Sequence, residues 1–225
     1  MLDLHKMLWF DEVYDESFKN IFPIFKKLWI KNNHTIASES WYFVKLLNDA
    51  WIKSSWSDIF SWIVNLSKYR YPEIEFTVKD MRNFTLEPKV ELISCVDWCI
   101  NHVFSLEEVW EVFDSVYRNL EEKWFFYLEF WTEEEVSESN KLSTNKIFNI
   151  DWYNITQVER RLWNNIHNMT TKVEKDGEII DILNAYHTSF NFESVISLLY
   201  KSWFKTHIEL SFSTNYSKKI LAFKY

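Results

Sequence analysis

The strongest hydrophobic pattern in the chain lies between Ser105 and Trp131. Apolar residues recur there three and four positions apart, the spacing that places side chains on one face of an α-helix. Ser105 and Glu108 have the spacing of a capping box, which marks a helix start. The pattern predicts one long central helix over 105–131. Its apolar positions are Leu106, Val109, Trp110, Phe113, Val116, Tyr117, Leu120, Trp124, Tyr127, Leu128 and Trp131.

Helical spacing recurs along most of the remaining chain. It predicts helices over 15–32, 38–50, 55–69 and 88–102. Thr156 and Glu159 have the spacing of a second capping box, and Asn191 is a predicted N-cap. Apolar residues at helical spacing follow both positions, so a helix is expected after each.

Strand patterns are fewer and shorter. Apolar and polar residues alternate over 74–78, which is typical of a half-buried strand. Asp176-Gly177 favours a type I′ hairpin turn if 171–174 and 178–182 are strands, although helix ends fit that stretch equally well. Two alternating segments between 208 and 225 predict a C-terminal hairpin.

The elements together predict an α+β fold that is predominantly helical, with a small antiparallel sheet. That sheet would contain the C-terminal hairpin and the strand at 74–78. A chain of 225 residues suits a single domain over 1–225. The polar, acidic and serine-rich stretch 132–148 is the place for an internal boundary if there is one.

Composition excludes several functional classes. Hydrophobic residues make up 47% and charged residues 26% of the chain, which is typical of a globular protein. Gly177 is its single glycine, whereas loops that cradle phosphates need several. Dinucleotide-binding loops, P-loops and nucleophile elbows are therefore disfavoured, and we expect no cofactor.

The net charge and the cysteine content indicate which partners and which cellular compartment to expect. The formal net charge of −8 argues against direct nucleic acid binding and favours a basic protein partner. Two cysteines and the lack of a secretory leader over 1–20 indicate the cytoplasm. No uninterrupted apolar run of about 18 residues exists, so neither a membrane span nor a membrane partner is expected.

Cys95, Cys99 and His102 would share one face of the helix predicted over 88–102, because they lie at positions i, i+4 and i+7. Two sulfurs and one nitrogen are ligands that zinc accepts. No second ligand pair follows at zinc-site spacing, and cysteines on an apolar face are usually core residues. Core packing is therefore the main interpretation, with a metal site as its alternative.

Arg161 and His167 have the R-x₅-H spacing that resembles the motif of HEPN ribonucleases. In that all-helical family, the resemblance implies metal-independent RNA cleavage by the paired arginine and histidine. A histidine can move the proton and an arginine can stabilise the phosphorane charge. A solvent-facing arginine and a histidine near a helix end are the structural alternative.

Aromatic and acidic residues are interleaved at the end of the predicted central helix and in the stretch that follows. Such a surface steers a basic partner by charge and holds it by aromatic contact area. A solvated acidic loop is the alternative. The candidate partner-binding residues are Trp124, Phe130, Trp131, Glu133, Glu134 and Glu135.

In composition the chain is similar to acidic, aromatic-rich toxin-immunity proteins and phage anti-defence proteins. That resemblance implies a stoichiometric inhibitor that occludes a basic partner, and we expect a protein that is not an enzyme. A HEPN-like ribonuclease and a structural subunit of a larger assembly are the alternatives. A homodimer is compatible with each of them.

Overall fold

Two β-sheets organise the chain. The helices of this computed structural model are α1 (Phe10–Lys27), α2 (Trp41–Asp49), α3 (Ser61–Arg70), α4 (Leu106–Asn119) and α5 (Phe192–Lys201), with a 3₁₀ helix at Cys99–His102. The strands are β1 (Asn32–Ile36), β2 (Lys53–Asp58), β3 (Phe76–Val78), β4 (Val90–Cys95), β5 (Leu120–Phe130), β6 (Lys146–Ile150), β7 (Tyr153–Arg161), β8 (Ile166–Lys175), β9 (Glu178–Thr188), β10 (Thr206–Glu209) and β11 (Lys218–Phe223). The structure describes residues 10–37, 41–133, 146–150, 153–162, 165–210 and 217–225.

The larger sheet has seven strands in the order β10-β11-β5-β4-β1-β2-β3. Strands β1 to β5 run parallel to one another, whereas β11 is antiparallel to both β5 and β10. Parallel neighbours need crossover connections, and helices supply most of them. The predominantly helical fold predicted from the sequence is therefore wrong, because the helices cover a large and mostly parallel sheet.

Helices cover both faces of this sheet. On one face, Phe25 of α1 and Phe43 of α2 pack with Leu92 of β4. On the other face, Phe113 of α4 and Leu199 of α5 pack in the core that contains residues of β4 and β5. Alternate residues of one strand thus enter two different cores, which makes three layers.

Polar side chains fill the interior between the central strands. His34 of β1 is hydrogen-bonded through Nδ1 to Ser55 (2.8 Å) and through Nε2 to Ser57 (2.9 Å), both on β2. On the opposite face of β1, the Oγ1 of Thr35 lies 2.9 Å from the Oγ of Ser94 on β4. Burial and the nearby charge of Lys79 lower the pKa of His34 to about 3, so this imidazole is neutral at neutral pH.

The predicted central helix over 105–131 is wrong beyond its first half. Residues 106–119 form α4, and Ser105 caps it as predicted by accepting a hydrogen bond from the backbone N–H of Glu108 (3.2 Å). The chain then enters β5 directly at Leu120. Asn119 holds this corner because its side chain accepts from Leu86 N–H (2.7 Å) and donates to the carbonyl of Phe84 (2.8 Å).

Two other predicted helices are split in the same way. The segment 55–69 contains the end of β2 and most of α3, and 88–102 contains β4 and the 3₁₀ helix. The helix predicted from the Thr156 capping box is also wrong, because that stretch is β7. Parallel strands buried on both faces carry no clear alternation, so their apolar residues can match a helical period.

Several local predictions are confirmed. Helices α1 and α2 overlap the predicted helical ranges 15–32 and 38–50, although their ends are shifted. Asn191 caps α5 as predicted, because its side chain accepts a hydrogen bond from the backbone N–H of Ser194 (3.1 Å). Asp176 and Gly177, with φ of 52° and 82°, form the hairpin turn between β8 and β9. The C-terminal hairpin is β10 and β11, but β3 lies at the opposite edge of the sheet rather than beside it.

Strands β6 to β9 form a separate antiparallel sheet in sequence order, inserted between β5 and α5. The boundary predicted at 132–148 precedes this insert and falls largely outside the described residues, so it stays a prediction. Among the helices that the structure describes, none is long and apolar enough to cross a bilayer.

Candidate functional site

The fold itself indicates where a ligand would bind. Strands β1 and β4 are neighbours, yet β1 leads to α2 on one face of the sheet while β4 leads to α4 on the other. Such a divergence leaves a crevice outside the carboxyl ends of the strands, the general ligand site of open α/β sheets. The residues that end β1 to β5 therefore define the candidate site.

The residue that follows β1 has a left-handed backbone conformation. Ala37 has φ of 49°, and its N–H donates to the carbonyl of Ser57 on β2 (2.8 Å). Glycine usually occupies this conformation because a Cβ is costly there. Helix α2 begins a few residues later, at Trp41. A residue other than glycine thus takes this conformation at the switch point.

A buried carboxylate ends β2. Asp58 accepts a hydrogen bond from the backbone N–H of Phe60 (2.8 Å), and its own carbonyl accepts from Lys79 N–H (3.0 Å). Burial raises the pKa of Asp58 above its ordinary value, because the charged form has lost hydration. Ile59 and Phe60 follow as exposed apolar side chains. A carboxylate and an apolar surface therefore meet beside the crevice.

An ion-pair network fixes the segment after β3. The guanidinium of Arg82 contacts Asp80 (Nη2 to Oδ2, 2.6 Å) and Glu108 of α4 (Nη1 to Oε1, 2.5 Å). Hydrogen bonds from Arg82 hold the pKa of Asp80 below its usual range. This network joins the β3 end of the site to the start of α4.

A second buried carboxylate lies where β4 and β5 end. Glu129 accepts hydrogen bonds from the hydroxyl of Tyr127 and from the backbone N–H of Asp97 (3.1 Å). Burial and the charge of Glu129 raise the pKa of Tyr127 well above its ordinary value. Asp97 and Trp98 both adopt left-handed conformations, each with φ of 57°. Glu129 thus stabilises a strained turn at the mouth of the crevice.

Aromatic rings connect this turn to the inserted sheet. The centroids of the Trp98 and Trp131 rings lie 4.1 Å apart, and Trp131 and His187 of β9 form a T-shaped pair with centroids 4.8 Å apart. His187 stacks on His167 of β8, with centroids 5.4 Å apart and ring planes 8° from parallel. Both imidazoles are buried. Two indoles and two imidazoles therefore line the junction between the two sheets.

The residues predicted as a HEPN motif do not share a helix. Arg161 ends β7 and His167 lies near the start of β8, where the two are cross-strand partners. Arg161 is exposed and donates to Asn165 (2.7 Å), whereas His167 is buried and lies 3.4 Å from the hydroxyl of Ser189. The helical prediction is wrong, and His167 lies instead at the junction between the two sheets, stacked on His187.

The predicted metal ligands do not share a helix face either. Cys95 ends β4, whereas Cys99 and His102 belong to the 3₁₀ helix. Both cysteines are buried in the core of α4 and α5, as the core interpretation expects. Within the part of the chain that the structure describes, no group of three or more His, Cys, Asp or Glu side chains is placed so that it could hold a metal ion.

The predicted partner-binding residues do not form one exposed surface. Phe130 is fully buried in the core, and Trp124 packs partly against the core beneath α1. Trp131 belongs to the junction between the sheets, and Glu133 accepts from Asn165 (2.6 Å). Glu134 and Glu135 lie outside the described residues.

Comparison with known proteins identifies the fold. No protein-family model and no curated protein matches the chain. Among solved structures, it is similar to CalS10, an amino pentose methyltransferase from Micromonospora echinaspora, with a TM-score of 0.81 and 12% identity over 100% of this chain and 98% of that one. DesVI from Streptomyces venezuelae is also similar, with a TM-score of 0.79 and 13% identity over 99% of this chain and 96% of that one.

A third similar structure indicates the class of the fold. An S-adenosylmethionine-dependent methyltransferase from Clostridium acetobutylicum gives a TM-score of 0.76 and 12% identity over 94% of this chain and 92% of that one. The chain therefore has the Rossmann-like fold of these methyltransferases. This finding overturns the predicted inhibitor, the HEPN and structural alternatives, and the expectation of a protein that is not an enzyme. The basic partner and the homodimer stay predictions.

Proposed function

We propose that this protein is an S-adenosylmethionine-dependent methyltransferase. The main support for this proposal is the buried carboxylate of Asp58. It lies at the end of β2, beside the switch point between β1 and β4. In Rossmann-like sites, an acidic residue about 20 positions beyond the first turn accepts hydrogen bonds from ribose hydroxyls. Asp58 has that position relative to Ala37.

The neighbouring residues fit the adenosine half of this cofactor. Ile59 and Phe60 are exposed directly after Asp58 and offer an apolar surface to the adenine. Ala37 takes the left-handed conformation that otherwise favours glycine, so the single glycine of the chain does not exclude the site. Asp58 would hold the ribose, and the start of α2 would face the cofactor. When bound, the cofactor supplies an electrophilic methyl group on a sulfonium.

Trp98 and Trp131 are suited to the cationic part of the reaction. The face of an indole attracts a cation that lies within about 6 Å of the ring centroid. These two rings lie 4.1 Å apart, with their planes tilted by 32°, at the carboxyl ends of β4 and β5. They would orient a positively charged group there and exclude water from it.

The imidazole pair gives the site a proton acceptor. An amine becomes nucleophilic only as the neutral amine, so a protonated amine must first lose a proton. His187 and His167 lie directly beyond Trp131, and imidazole is the side chain that most often transfers protons in catalysis. We infer that the acceptor is an amine on a small polar molecule. CalS10 is an amino pentose methyltransferase and KedS8 a sugar N-methyltransferase, which supports this class.

Calorimetric titration with S-adenosylmethionine tests the proposal. The Asp58→Asn variant should bind at least tenfold more weakly, because a hydrogen bond to a charged group contributes about 1.5–3 kcal/mol. Asp114→Asn is the matched control, since Asp114 pairs with Arg118 on the outer side of α4. An unmodified protein that does not bind the cofactor, or equal affinity in Asp58→Asn, would refute the proposal. Binding would then be followed by methyl transfer to amino sugars.

We also propose that the protein works in the cytoplasm. Cys95 and Cys99 are buried and are not joined by a disulfide, which suits a reducing compartment. Burial raises the pKa of the Cys95 thiol to about 12, so this residue stays protonated and unreactive.

A further inference from the structure

Three corners of the molecule share one short sequence. Each consists of a tryptophan, a buried apolar residue and an exposed lysine, and each follows the end of a helix. The helices are α1, α2 and α5. The three corners are Trp29-Ile30-Lys31, Trp51-Ile52-Lys53 and Trp203-Phe204-Lys205.

The tryptophan has the same backbone conformation at each corner. The φ angles of Trp29, Trp51 and Trp203 are 58°, 69° and 73°. Their N–H groups donate to the carbonyls of Lys26, Asn48 and Tyr200 in the last helical turn, at 3.0 to 3.1 Å. This is the left-handed residue that terminates many helices, and it is usually glycine because a Cβ costs about 1–2 kcal/mol there.

Packing does not compensate for that cost. The three indoles are 79%, 93% and 65% exposed, whereas the residue after each is buried. The scarcity of glycine does not explain the choice either, because Asn165 takes the same conformation elsewhere with φ of 60°. Asparagine would end these helices at a lower cost. The tryptophans therefore serve a purpose at the surface.

All three corners lie on one edge of the large sheet. Helices α1, α2 and α5 lead into β1, β2 and β10, which run in the same direction. Their ends therefore meet the amino ends of the strands, opposite the candidate site. Neighbouring strands lie about 4.8 Å apart, which places the β10 corner about 19 Å from the β1 corner along the edge.

This edge carries positive charge on a protein that is acidic as a whole. Lys26, Lys27, Lys31, Lys53 and Lys205 are exposed there. Nearby acidic groups are partly engaged: Asp49 pairs with Lys45, and Glu91 accepts from the backbone of Lys31. Exposed acids between the corners are Glu87 before β4 and Glu121 and Glu122 at the start of β5, and Glu122 pairs with Lys224.

We propose that this edge docks on an anionic lipid surface. Tryptophan and lysine together are the residues of the membrane interface, where the indole lies among headgroups and the ammonium meets lipid phosphates. Protein interfaces, in contrast, are depleted in lysine. The expectation of no membrane partner rested on the lack of a spanning segment, and surface binding needs none. Docking would leave the candidate site facing away from the lipid.

Vesicle co-sedimentation tests the proposal without any activity measurement. The protein should sediment with vesicles of phosphatidylglycerol and phosphatidylcholine, and much less with pure phosphatidylcholine. Replacing Trp29, Trp51 and Trp203 together by glycine should weaken binding at least tenfold. Glycine suits these backbone positions, so the melting temperature should stay the same or rise. Trp62→Ala is the control, because Trp62 is 65% exposed at the start of α3, on the opposite edge.

Charge variants separate lipid docking from self-association. Each lysine near an anionic surface contributes about fivefold to affinity, so Lys31→Glu with Lys53→Glu should abolish sedimentation with the anionic vesicles. Glu121→Gln should strengthen it. Equal binding by the triple glycine variant, or no preference for anionic vesicles, would overturn the proposal. So would a dimer in sedimentation equilibrium that the triple glycine variant loses, since the edge would then join two copies of this chain.

Discussion

The side chain of Asn101 hydrogen-bonds both backbone polar groups of Trp131. Its Oδ1 accepts from the Trp131 N–H (2.9 Å), and its Nδ2 donates to the Trp131 carbonyl (3.1 Å) and to the carbonyl of Thr188 (2.6 Å). Asn101 belongs to the 3₁₀ helix after β4, Trp131 follows β5, and Thr188 ends β9. One buried amide therefore joins the three segments that form the candidate acceptor side of the site.

Asn101→Ala should destabilise the protein by about 3 kcal/mol, because it leaves buried backbone groups of Trp131 and Thr188 without hydrogen bonds. Urea unfolding measures the change. The backbone amide of Trp131 should also exchange faster with solvent, which hydrogen exchange detects. Asn83→Ala is the control, since Asn83 is exposed. Equal unfolding midpoints for both variants would contradict the role assigned to Asn101.

Acid should destabilise the protein through His34. The native state keeps this imidazole neutral down to a pKa of about 3, whereas the unfolded chain binds a proton below about 6.5. Since the unfolded state then holds more protons, stability falls as the pH drops from 6.5 towards 3, by about 1.4 kcal/mol per pH unit. Urea unfolding from pH 7 to 5 measures this slope. It should be smaller in His34→Gln, and an unchanged slope would assign the effect to other groups.

Asp58→Asn should stabilise the protein without ligand while weakening cofactor binding. Burial raises the pKa of Asp58, so the ionised carboxylate is less favourable in the folded state than in the unfolded chain. This destabilisation appears as the pH rises above the ordinary pKa of 3.8 and is absent below it. Urea unfolding of both proteins at pH 7 and pH 3.5 checks the sign. A variant less stable at pH 7 would show that the carboxylate is structural.

His187→Ala should lower the rate of methyl transfer about 100-fold if this imidazole accepts the proton of the amine. The affinity for S-adenosylmethionine should stay within about twofold, because the imidazole does not belong to the adenosine end. Added imidazole should restore part of the rate, which a purely structural role would not permit. His207→Ala is the control, since His207 lies on β10 beside Tyr200. Unchanged turnover would remove His187 from the reaction.

The sequence pattern predicts the caps and hairpins of this fold better than its central strands. A buried parallel strand normally reads as a run of Val, Ile and Leu. Strand β1 reads Asn-Asn-His-Thr-Ile, and its polar side chains form hydrogen bonds within β1 and with serines of β2 and β4. Those partners are distant in sequence, so the strand is visible only in three dimensions.

The candidate site was missed for the same reason. Asp58 indicates a ligand site only when it is known to end a strand. The apolar residues of 55–69 match a helical period, so the pattern predicts a helix where the end of β2 lies. His167 was found by its spacing to Arg161, but its place beside His187 depends on the pairing of β8 with β9. Trp98 and Trp131 meet because two distant strands end side by side.

The chain enters the inserted sheet and leaves it again at neighbouring positions beside the larger sheet. Thr132 and Phe190 form a β-bridge, and the N–H of Glu133 donates to the carbonyl of Phe190 (3.2 Å). The segment between them can therefore be gained, lost or exchanged as a cassette, since a short linker would close the chain and leave the order of the seven strands intact. Grafting this cassette between proteins of the same fold therefore tests whether it sets the preference for the methyl acceptor that we propose.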